Sequence, residues 1–435
     1  MATQTDAAAT QPLETVDIKP LLSRLWPLSE DDREPLAGPI ADAIALFFTN
    51  QVSEAQSGAL LMCLHFTGLD RQADVMAACA ARMRRAAAPV AAAPLRAIMA
   101  QQQPNLQVGN YGGGLCDIVG TGGDSHNTFN VSTASSIVAS AWLRIAKHGN
   151  RASTSKSGSA DLLANLHYCP QRLATIENET TDLVDLVADL SFVRPSTLPQ
   201  IYAATNYAFL FAPVFHPGMR FVAPIRRQLP WRTLFNLLGP LANPVDVDDG
   251  IGPSPLEARV IGVARRELGP VFADALRMAG ARKALIVCGA EDLDEISIAG
   301  PTYCWALRDN SITPFCLEPA DFGVAAHPLS VVSPGREPAE NAATMLSILN
   351  NERSPDDPLL SFVLINTAAL LVTSGLCDDD NDSDRIPDRG PGGGRWKDGV
   401  RRARLALATG ETQKQWQRFV EVTNQIVPAS QEGLP

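Results

Sequence analysis

A glycine-rich turn in the first third of the chain has residues suited to binding an anion. Gly120-Thr121-Gly122-Gly123-Asp124 follows a short apolar run, and Asn130-Val131-Ser132-Thr133 stands at a predicted helix start. Glycines let the backbone approach an anion closely, and a helix N-terminus favours phosphate. The turn is neither a Rossmann fingerprint, because Ser125 takes the place of the last glycine, nor a P-loop, because it lacks the lysine. It indicates phosphate binding, with a plain serine-capped turn as the alternative.

A second polar cluster begins at Lys147-His148-Gly149-Asn150-Arg151 and continues through hydroxyl residues and Lys156 to Asp161. Hydroxyls, cations and glycines supply the donors and positive charge that a phosphorylated ligand needs. Alone, the cluster could equally be a solvated loop. Two such clusters in one chain favour a ligand with two separated phosphates. A lone His148 is more often structural than catalytic, so we assign it no proton transfer.

An acidic turn, Asp292-Leu293-Asp294-Glu295, follows the apolar run that ends at Cys288. Adjacent carboxylates at the end of a strand suit Mg²⁺ when a substrate brings phosphate oxygens to complete its shell. A solvated acidic turn is the alternative. Carboxylates facing a phosphate site would repel the ligand unless a metal lay between them, so the three clusters together imply a divalent cation.

An apolar stretch with nearby arginines runs from Phe211 through His216 to Arg227. An apolar slot beside a guanidinium suits an aromatic carboxylate, although a core segment with one surface helix is an equal alternative. The chain contains neither a Gly-x-Ser-x-Gly nor a His-Glu-x-x-His sequence, so serine-esterase and zincin chemistry have no support.

These residues stand among elements of two kinds. The first part of the chain has helical spacing, with helices expected at Ile40 to Phe48, Ser57 to Phe66 closed by Gly68, and Asp70 to Arg85. Later segments alternate strands and helices, which predicts a largely parallel sheet. The expected strands are Leu115 to Val119, Ala258 to Ala264 and Ala284 to Cys288, and the expected helices are Ser132 to Ile145 and Gly269 to Ala279.

Composition excludes several classes of protein. With 36 basic and 47 acidic residues the net charge is -11, which argues against a nucleic-acid binder because phosphate neutralisation needs a basic face. No Cys-x-x-Cys pair occurs, so a reduced, cytoplasmic protein is expected. No uncharged stretch reads as a membrane span. The chain before Lys19 lacks the basic and apolar blocks of a targeting signal.

The acidic segment 377–395 differs from the rest of the chain. Six Asp residues and one Arg lie between Asp378 and Asp388, followed by Gly-Pro-Gly-Gly-Gly. This composition predicts a solvated, mobile loop between two helices.

Four segments, in this order and spacing, resemble the anthranilate phosphoribosyltransferase family. They read GTGGDSHNTFNVSTAS, KHGNRASTSKSGSADLL, FLFAPVFHPGMRFVAPIRRQL with RTLFNLLGPLANP, and LDEISIAGPT. The resemblance implies an α/β fold with a small helical domain plus a large α/β domain whose central sheet is mostly parallel. It also implies a homodimer and transfer of phosphoribose from 5-phosphoribosyl 1-diphosphate (PRPP) to anthranilate, in tryptophan biosynthesis. The implied division is a disordered lead-in at 1–16, a helical domain at 17–103 plus about 212–245, and an α/β domain at 104–211 plus 246–435.

The resemblance also implies a role for each matching residue. Asn150, Lys147 and Arg226 would position the substrates, with no residue acting as acid or base. The PRPP residues would be Gly120, Gly123, Asp124, Thr128, Asn130, Val131, Ser132, Thr133, Lys147, His148, Gly149, Asn150, Arg151, Ala152, Ser153, Thr154, Ser155 and Ser159. The anthranilate residues would be Gly120, His148, Asn150, Ala212, Pro213 and Arg226, and the Mg²⁺ ligands Ser132, Asp294 and Glu295.

The sequence differs from the family pattern in two segments, and three alternative functions remain to be weighed. Leu166 to Ser196 is longer than the resemblance suggests, and the acidic segment 377–395 looks like an insertion. A pyrimidine nucleoside phosphorylase of the same fold is the first rival, and a non-catalytic relative that binds nucleic acid is the second. A phosphoribosyltransferase of the doubly wound type is weaker, because no strand ends in two acids followed by a Thr-rich phosphate loop.

Overall fold

The computed structural model describes residues 14–27, 35–101, 108–151, 158–168, 186–335 and 337–425. Nearly all of the expected lead-in at 1–16 lies outside the described residues. Helices α1–α16 are, in chain order, Lys19–Leu25, Ala37–Phe47, Glu54–Thr67, Ala73–Arg85, Ala92–Gln101, Val131–Ala139, Ser159–Leu163, Leu198–Ala204, Ala212–Phe215, Met219–Gln228, Phe235–Leu238, Leu268–Met278, Pro338–Leu349, Pro358–Ser374, Trp396–Ala408 and Glu411–Gln425. Strands β1–β7 are Leu115–Gly120, Arg144–Gly149, Tyr207–Phe211, Leu256–Gly262, Lys283–Gly289, Thr302–Arg308 and Ser311–Leu317.

One seven-stranded sheet lies at the centre, in the order β3-β2-β1-β4-β5-β6-β7. The first five strands in that order run parallel, and β6 and β7 add an antiparallel hairpin at one edge. The predicted mostly parallel α/β sheet is confirmed. The chain moves outward from β1 to β3 and then returns to β4 on the other side of β1. Parallel sheets bind ligands where the order reverses in this way, at the carboxyl ends of the strands.

Helix α14 forms the centre of the core on one face of the sheet. The Asp357 carboxylate caps it by accepting the Leu360 N–H at 2.9 Å, and Gly375 ends it in the left-handed conformation. Nearly all of its side chains are buried, as expected for a helix that is apolar on every side. It packs against α6, α15 and β4, and so fixes the helix that begins beside the glycine-rich turn.

Helix α12 and the N-terminal helices share a second core on the other face. Ser53 caps α3 by accepting the Gln56 N–H at 3.3 Å, and Gly68 ends it as predicted. Phe235 of α11 lies 6.2 Å from the Phe47 ring and 6.1 Å from the Phe48 ring, between centroids. The segment after β3 therefore packs with the helical unit. The exact domain boundaries stay predictions.

One predicted element was wrong. The helix expected from Ser132 to Ile145 ends at Ala139, and a strand begins at Arg144. Ile145 pairs with Cys116 of β1 and Tyr207 of β3, and tertiary pairing of this kind overrides local helical spacing. The start of the expected polar loop, Lys147 to Gly149, accordingly belongs to a largely buried strand.

The acidic segment 377–395 lies between α14 and α15, as predicted. Arg402 of α15 contacts Asp382 of the segment at 2.7 Å and the buried Asp398 of its own helix at 3.0 Å. The Arg395 guanidinium, which is also buried, donates to the Cys377 carbonyl at 3.1 Å. The Arg402–Asp382 ion pair joins the segment to α15 and offsets one of its negative charges. Its expected mobility stays a prediction.

Candidate active site

The predicted site residues meet at the carboxyl edge of the sheet. Its five parallel strands end there, at Gly120, Gly149, Phe211, Gly262 and Gly289. The glycine-rich turn follows β1, the acidic turn follows β5, and the apolar stretch follows β3. The sequence clusters are therefore brought together at the point where the strand order reverses.

The glycine-rich turn depends on left-handed backbone. Gly122 has φ 67° and Gly123 has φ 76°, values that glycine adopts without a steric penalty. Ser125 has φ 64°, which is uncommon for a residue with a side chain. The Asp124 carboxylate accepts the His126 N–H at 3.2 Å. This sequence of left-handed residues directs the chain from β1 toward the start of α6.

Helix α6 begins at the predicted position. Asn130 is its N-cap, and its carbonyl accepts the N–H groups of Thr133 at 3.1 Å and Ala134 at 3.0 Å. Thr128 is half-buried in the preceding segment, and Val131 is buried in the core. The N-terminus of the helix follows the glycine-rich turn in the chain, and the dipole of a helix N-terminus favours an anion.

Asp294 rests against two glycines that pair across β1 and β4. A Cβ atom at Gly120 would lie 2.4 Å from Asp294 Oδ2, and one at Gly262 would lie 1.5 Å from the Asp294 carbonyl oxygen. The Gly122 N–H donates to Asp294 Oδ2 at 2.6 Å. Burial, together with the neighbouring Asp124 carboxyl, raises the pKa of Asp294 to about 7. Glycine at Gly120 leaves room for this carboxylate, and glycine at Gly262 leaves room for the Asp294 backbone.

Glu295 has the properties of a metal ligand. Its Oε2 atom is buried and has no hydrogen-bond partner, and burial raises the pKa of its carboxyl well above the ordinary value. A small cavity of ≈ 10 Å³ lies between Glu295, Asp294 and Ser132, about the volume that one water molecule needs. An orphaned carboxylate oxygen beside a second carboxylate and a hydroxyl matches the all-oxygen donor set that Mg²⁺ prefers.

Within the described part of the chain, no group of three or more His, Cys, Asp or Glu side chains is placed to hold a metal by itself. Protein sites for Mg²⁺ typically use one or two carboxylates and take the remaining oxygens from water and substrate phosphate. The donors Ser132, Asp294 and Glu295 fit that pattern.

Lys147 lies beneath these carboxylates. Its side chain is buried, and its Nζ donates to the Ile118 carbonyl at 2.7 Å and to Ser132 Oγ at 3.4 Å. Burial lowers the pKa of Lys147, while the carboxylates of Asp117, Glu295 and Asp294 raise it. The ammonium group is therefore a fixed internal charge under the candidate metal site.

His148, the next residue along β2, faces the opposite side. Its ring lies 5.1 Å from the His216 ring, between centroids, and its Nε2 is buried without a hydrogen-bond partner. Burial lowers the pKa of His148 well below the ordinary value and that of His216 to about 4. Both imidazoles are therefore neutral at pH 7, and the expectation that His148 is not an acid or a base stays a prediction.

A cavity of ≈ 440 Å³ adjoins the glycine-rich turn on the His148 side. It lies between the strand ends of the sheet and the segment α9 to α11. Its lining includes the predicted anthranilate residues Gly120, His148, Asn150, Ala212, Pro213 and Arg226. Burial lowers the pKa of the Arg226 guanidinium somewhat, but arginine at this site keeps its charge. The cavity combines apolar walls with two arginines, the exposed Arg220 and the partly buried Arg226.

The second polar cluster, from Lys147 to Asp161, lies partly within the described residues. Thr133 Oγ1 donates to Ser159 Oγ at 2.8 Å, which joins α6 to α7. Arg151 is exposed, 3.5 Å from an Asp161 oxygen, and Asn150 Oδ1 accepts the Arg151 N–H at 2.8 Å. The predicted PRPP residues Ala152, Ser153, Thr154 and Ser155 lie outside the described residues.

Three residues of the site were not predicted from the sequence. Gly262 supports Asp294, Asn236 lines the large cavity, and Arg232 lies against the glycine-rich turn, donating to the Thr121 carbonyl at 3.0 Å. Arg232 and Asn236 stand in the string RTLFNLLGPLANP, which carried the resemblance. Nothing in the spacing indicated which of its side chains would reach the turn.

Comparison with known proteins gives the class of this fold and site. The helical-bundle domain of a glycosyl transferase family matches residues 37–87, and the a/b domain of the same glycosyl transferase family matches 112–185 and 180–413. The fold and site are thus those of a glycosyl transferase with a helical domain.

Individual relatives narrow the class. The anthranilate phosphoribosyltransferase of Schizosaccharomyces pombe is 36% identical over 384 residues, 88% of this chain and 91% of the relative. The Saccharomyces cerevisiae enzyme in complex with PRPP and Mg has a TM-score of 0.73 at 29% identity, covering 94% of this chain and 99% of that chain. The same enzyme in complex with 4-fluoroanthranilate has a TM-score of 0.71 at 27% identity, covering 94% and 97%. This chain belongs to the anthranilate phosphoribosyltransferase family, and the predicted resemblance is confirmed.

Proposed function

We propose that this chain transfers the 5-phosphoribosyl group of PRPP to the amino group of anthranilate, releasing diphosphate, as a step of tryptophan biosynthesis. The observation that carries the proposal is that two compartments of the site meet at Gly120, the last residue of β1. One compartment contains the carboxylates of the acidic turn, and the other is the 440 Å³ apolar cavity. A polyanionic donor and an aromatic acceptor bound on the two sides of Gly120 would meet there, which is what a transfer reaction requires.

The donor binds on the α6 side of Gly120. The glycine-rich turn and the N-terminus of α6 supply N–H groups and a positive dipole to its phosphates. The ammonium group of Lys147 is already bound to the Ile118 carbonyl. It therefore acts on the phosphates through its positive charge, from beneath the site. We assign PRPP to Gly120, Gly123, Asp124, Thr128, Asn130, Val131, Ser132, Thr133, the segment from Lys147 to Ser155, and Ser159.

Ser132, Asp294 and Glu295 would hold Mg²⁺. When bound, the ion neutralises the diphosphate and stabilises it as a leaving group. The orphaned Glu295 oxygen and the small cavity beside it support this set. Asp292 is exposed, in a left-handed turn, and supports the loop instead of binding the ion.

Anthranilate binds in the large cavity. Arg226 provides a forked donor for the carboxylate, and Ala212, Pro213 and His148 line the path of the ring. Asn150 lies at the boundary between the two compartments, after the end of β2. Together, Asn150, Lys147 and Arg226 position the reactants and take no part in proton transfer.

The chemistry needs no strong base. The amino group of anthranilate is a neutral nucleophile at pH 7, and the neutral imidazoles of His148 and His216 have pKa values below the ordinary range. Rate enhancement comes from holding nitrogen and C1 of the ribose together, and from stabilising the departing diphosphate while C1 gains positive charge.

Loss of anthranilate fluorescence on addition of PRPP and Mg²⁺ tests the proposal. Arg226→Gln should raise KM for anthranilate at least about tenfold, because a charge-assisted hydrogen bond is lost, and leave KM for PRPP unchanged. Arg227→Gln, one residue further along the same helix and exposed, is the matched control. An absence of fluorescence loss with the intact protein contradicts the proposal, and phosphorolysis of pyrimidine nucleosides in its place supports the rival function.

We also propose a cytoplasmic homodimer that binds neither nucleic acid nor membrane. Met62 and Phe66 on α3 and Trp26 after α1 are exposed apolar side chains of the helical unit, and a self-complementary interface would cover them. The seven cysteines within the described residues are free, as in a reducing compartment. No helix in the described part of the chain has the length and apolarity to cross a membrane. Sedimentation equilibrium tests the dimer, and a purely monomeric species contradicts it.

A further inference from the structure

Arg232 lies across the glycine-rich turn. Its Nη1 atom is 1.4 Å from the point where a Cβ atom of Gly123 would stand, so the guanidinium packs directly on the Gly123 backbone. Its Nη2 atom donates to the Thr121 carbonyl at 3.0 Å. Glycine is therefore needed at position 123 for two reasons, the left-handed φ of 76° and the space that the guanidinium fills.

Three carboxylates crowd the same place. The side chains of Asp124 and Asp294 are within hydrogen-bonding contact of each other, and both raise the pKa of Glu295. Desolvation lowers the pKa of the Arg232 guanidinium, and the negative charges of Asp294 and Asp124 act against that lowering. Lys147 acts on Glu295 from the sheet side of this cluster, and Arg232 acts on Asp294 from the side of the glycine-rich turn.

Lys147 and Arg232 differ in how freely their side chains can move. Lys147 is buried and bound to a strand carbonyl, so its position is fixed by the sheet. Arg232 is exposed and stands on the short connection between α10 and α11. Its long side chain can leave the turn without disturbing the core.

We propose that Arg232 is the resident counter-cation of the metal-site carboxylates in the free enzyme, and that Mg²⁺ with PRPP displaces it onto the diphosphate of the donor. The inference rests on the proposed function. A divalent ion and a guanidinium repel each other at the same carboxylates. A phosphate bound to the N–H groups of the turn would lie beside the guanidinium, which binds phosphate oxygens in a forked geometry.

Binding of Mn²⁺ in the absence of PRPP, followed by electron paramagnetic resonance, tests the first half of this proposal. Removing the resident cation in Arg232→Gln should strengthen Mn²⁺ binding about fivefold, and Arg232→Lys should have an intermediate effect. Arg265→Gln is the matched control, because Arg265 is an exposed arginine near Arg232. Unchanged Mn²⁺ affinity in Arg232→Gln, or an equal gain in Arg265→Gln, overturns the counter-cation role.

Binding of PRPP with Mg²⁺ present, measured by calorimetry without anthranilate, tests the second half. Arg232→Gln should weaken PRPP binding at least about tenfold, Arg232→Lys should restore part of it, and KM for anthranilate should not change. Stronger Mn²⁺ binding with unchanged PRPP binding overturns the displacement step. A wild-type protein that binds no PRPP overturns the proposed function, whereas the Mn²⁺ result stands by itself. Melting temperatures confirm folding, and if the glutamine variant does not fold, Arg232→Lys carries both measurements.

Discussion

A methyl group at Gly120 should displace the carboxylate of Asp294. The Cβ atom of Gly120→Ala would lie 2.4 Å from Asp294 Oδ2 and 2.8 Å from its Cγ, whereas ordinary van der Waals contact begins at 3.4 Å. The carboxylate must therefore move by about 1 Å, the difference between contact and clash. That movement breaks or weakens the 2.6 Å hydrogen bond from the Gly122 N–H.

A displacement of about 1 Å at a reacting site can lower turnover about a hundredfold, so kcat of Gly120→Ala should fall by that order. Apparent affinity for Mg²⁺ should fall as well, because Asp294 is one of the proposed ligands. The overpacking itself costs about 1–3 kcal/mol of stability, which leaves the protein folded for the assay.

The assay is loss of anthranilate fluorescence at saturating PRPP, with Mg²⁺ varied. Gly300→Ala is the matched control, because Gly300 lies in the same loop as Asp294 and a Cβ atom there would meet nothing within 4 Å. If Gly120→Ala retained kcat within about threefold of the control, with the same Mg²⁺ dependence, the placement of Asp294 against Gly120 would be refuted.

Three further predictions concern charge, strain and pH. The double variant Asp294→Asn with Glu295→Gln should abolish Mg²⁺-dependent turnover yet raise the melting temperature at pH 8. Because the pKa of Asp294 is raised in the folded protein, the folded state loses stability as the pH rises through about 7. A melting temperature no higher than that of the wild type contradicts this prediction. Ser125→Gly should stabilise the fold by about 1 kcal/mol in urea unfolding, because the left-handed φ of 64° strains a residue with a side chain; an unchanged unfolding midpoint argues against strain there. Burial lowers the pKa of His216 to about 4, so the unfolded chain binds its proton near pH 6.5 and the folded chain only near pH 4. As the pH is lowered across that interval, the free energy of unfolding should therefore fall by up to about 3 kcal/mol, and by less in His216→Gln. Parallel pH profiles of the two proteins would exclude His216 as the cause.

Much of the site was accessible from the sequence because its chemistry is local. The glycine-rich turn, the acidic turn and the apolar stretch after β3 are each continuous in sequence, and each lies at a strand end. The rule that parallel strands end at one edge was sufficient to bring them together. The order of the strands, by contrast, depends on pairing between distant residues, and the strand Arg144–Gly149 was partly mistaken for helix for that reason.

Residues that contact the site from distant parts of the chain were not predicted from the sequence. Gly262 pairs with Gly120 across two strands that are far apart in the chain, and both must lack a side chain because Asp294 occupies the space above them. Arg232 reaches Gly123 from the connection between α10 and α11. No spacing rule links these positions. Gly120 and Gly262 come together only when β1 pairs with β4, and Arg232 reaches the turn only when the segment after β3 packs beside the sheet.

By itself, the sequence determined the family, the chemical character of each cluster and the parallel α/β plan, since these depend on residue types and short-range periodicity. The tertiary structure alone decided the division of labour between Lys147 and His148. The two are adjacent in sequence and were assigned to one binding loop. They lie on a strand, where successive side chains point to opposite faces. Lys147 therefore lies beneath the carboxylates of the proposed metal site, and His148 lines the cavity proposed for the aromatic acceptor.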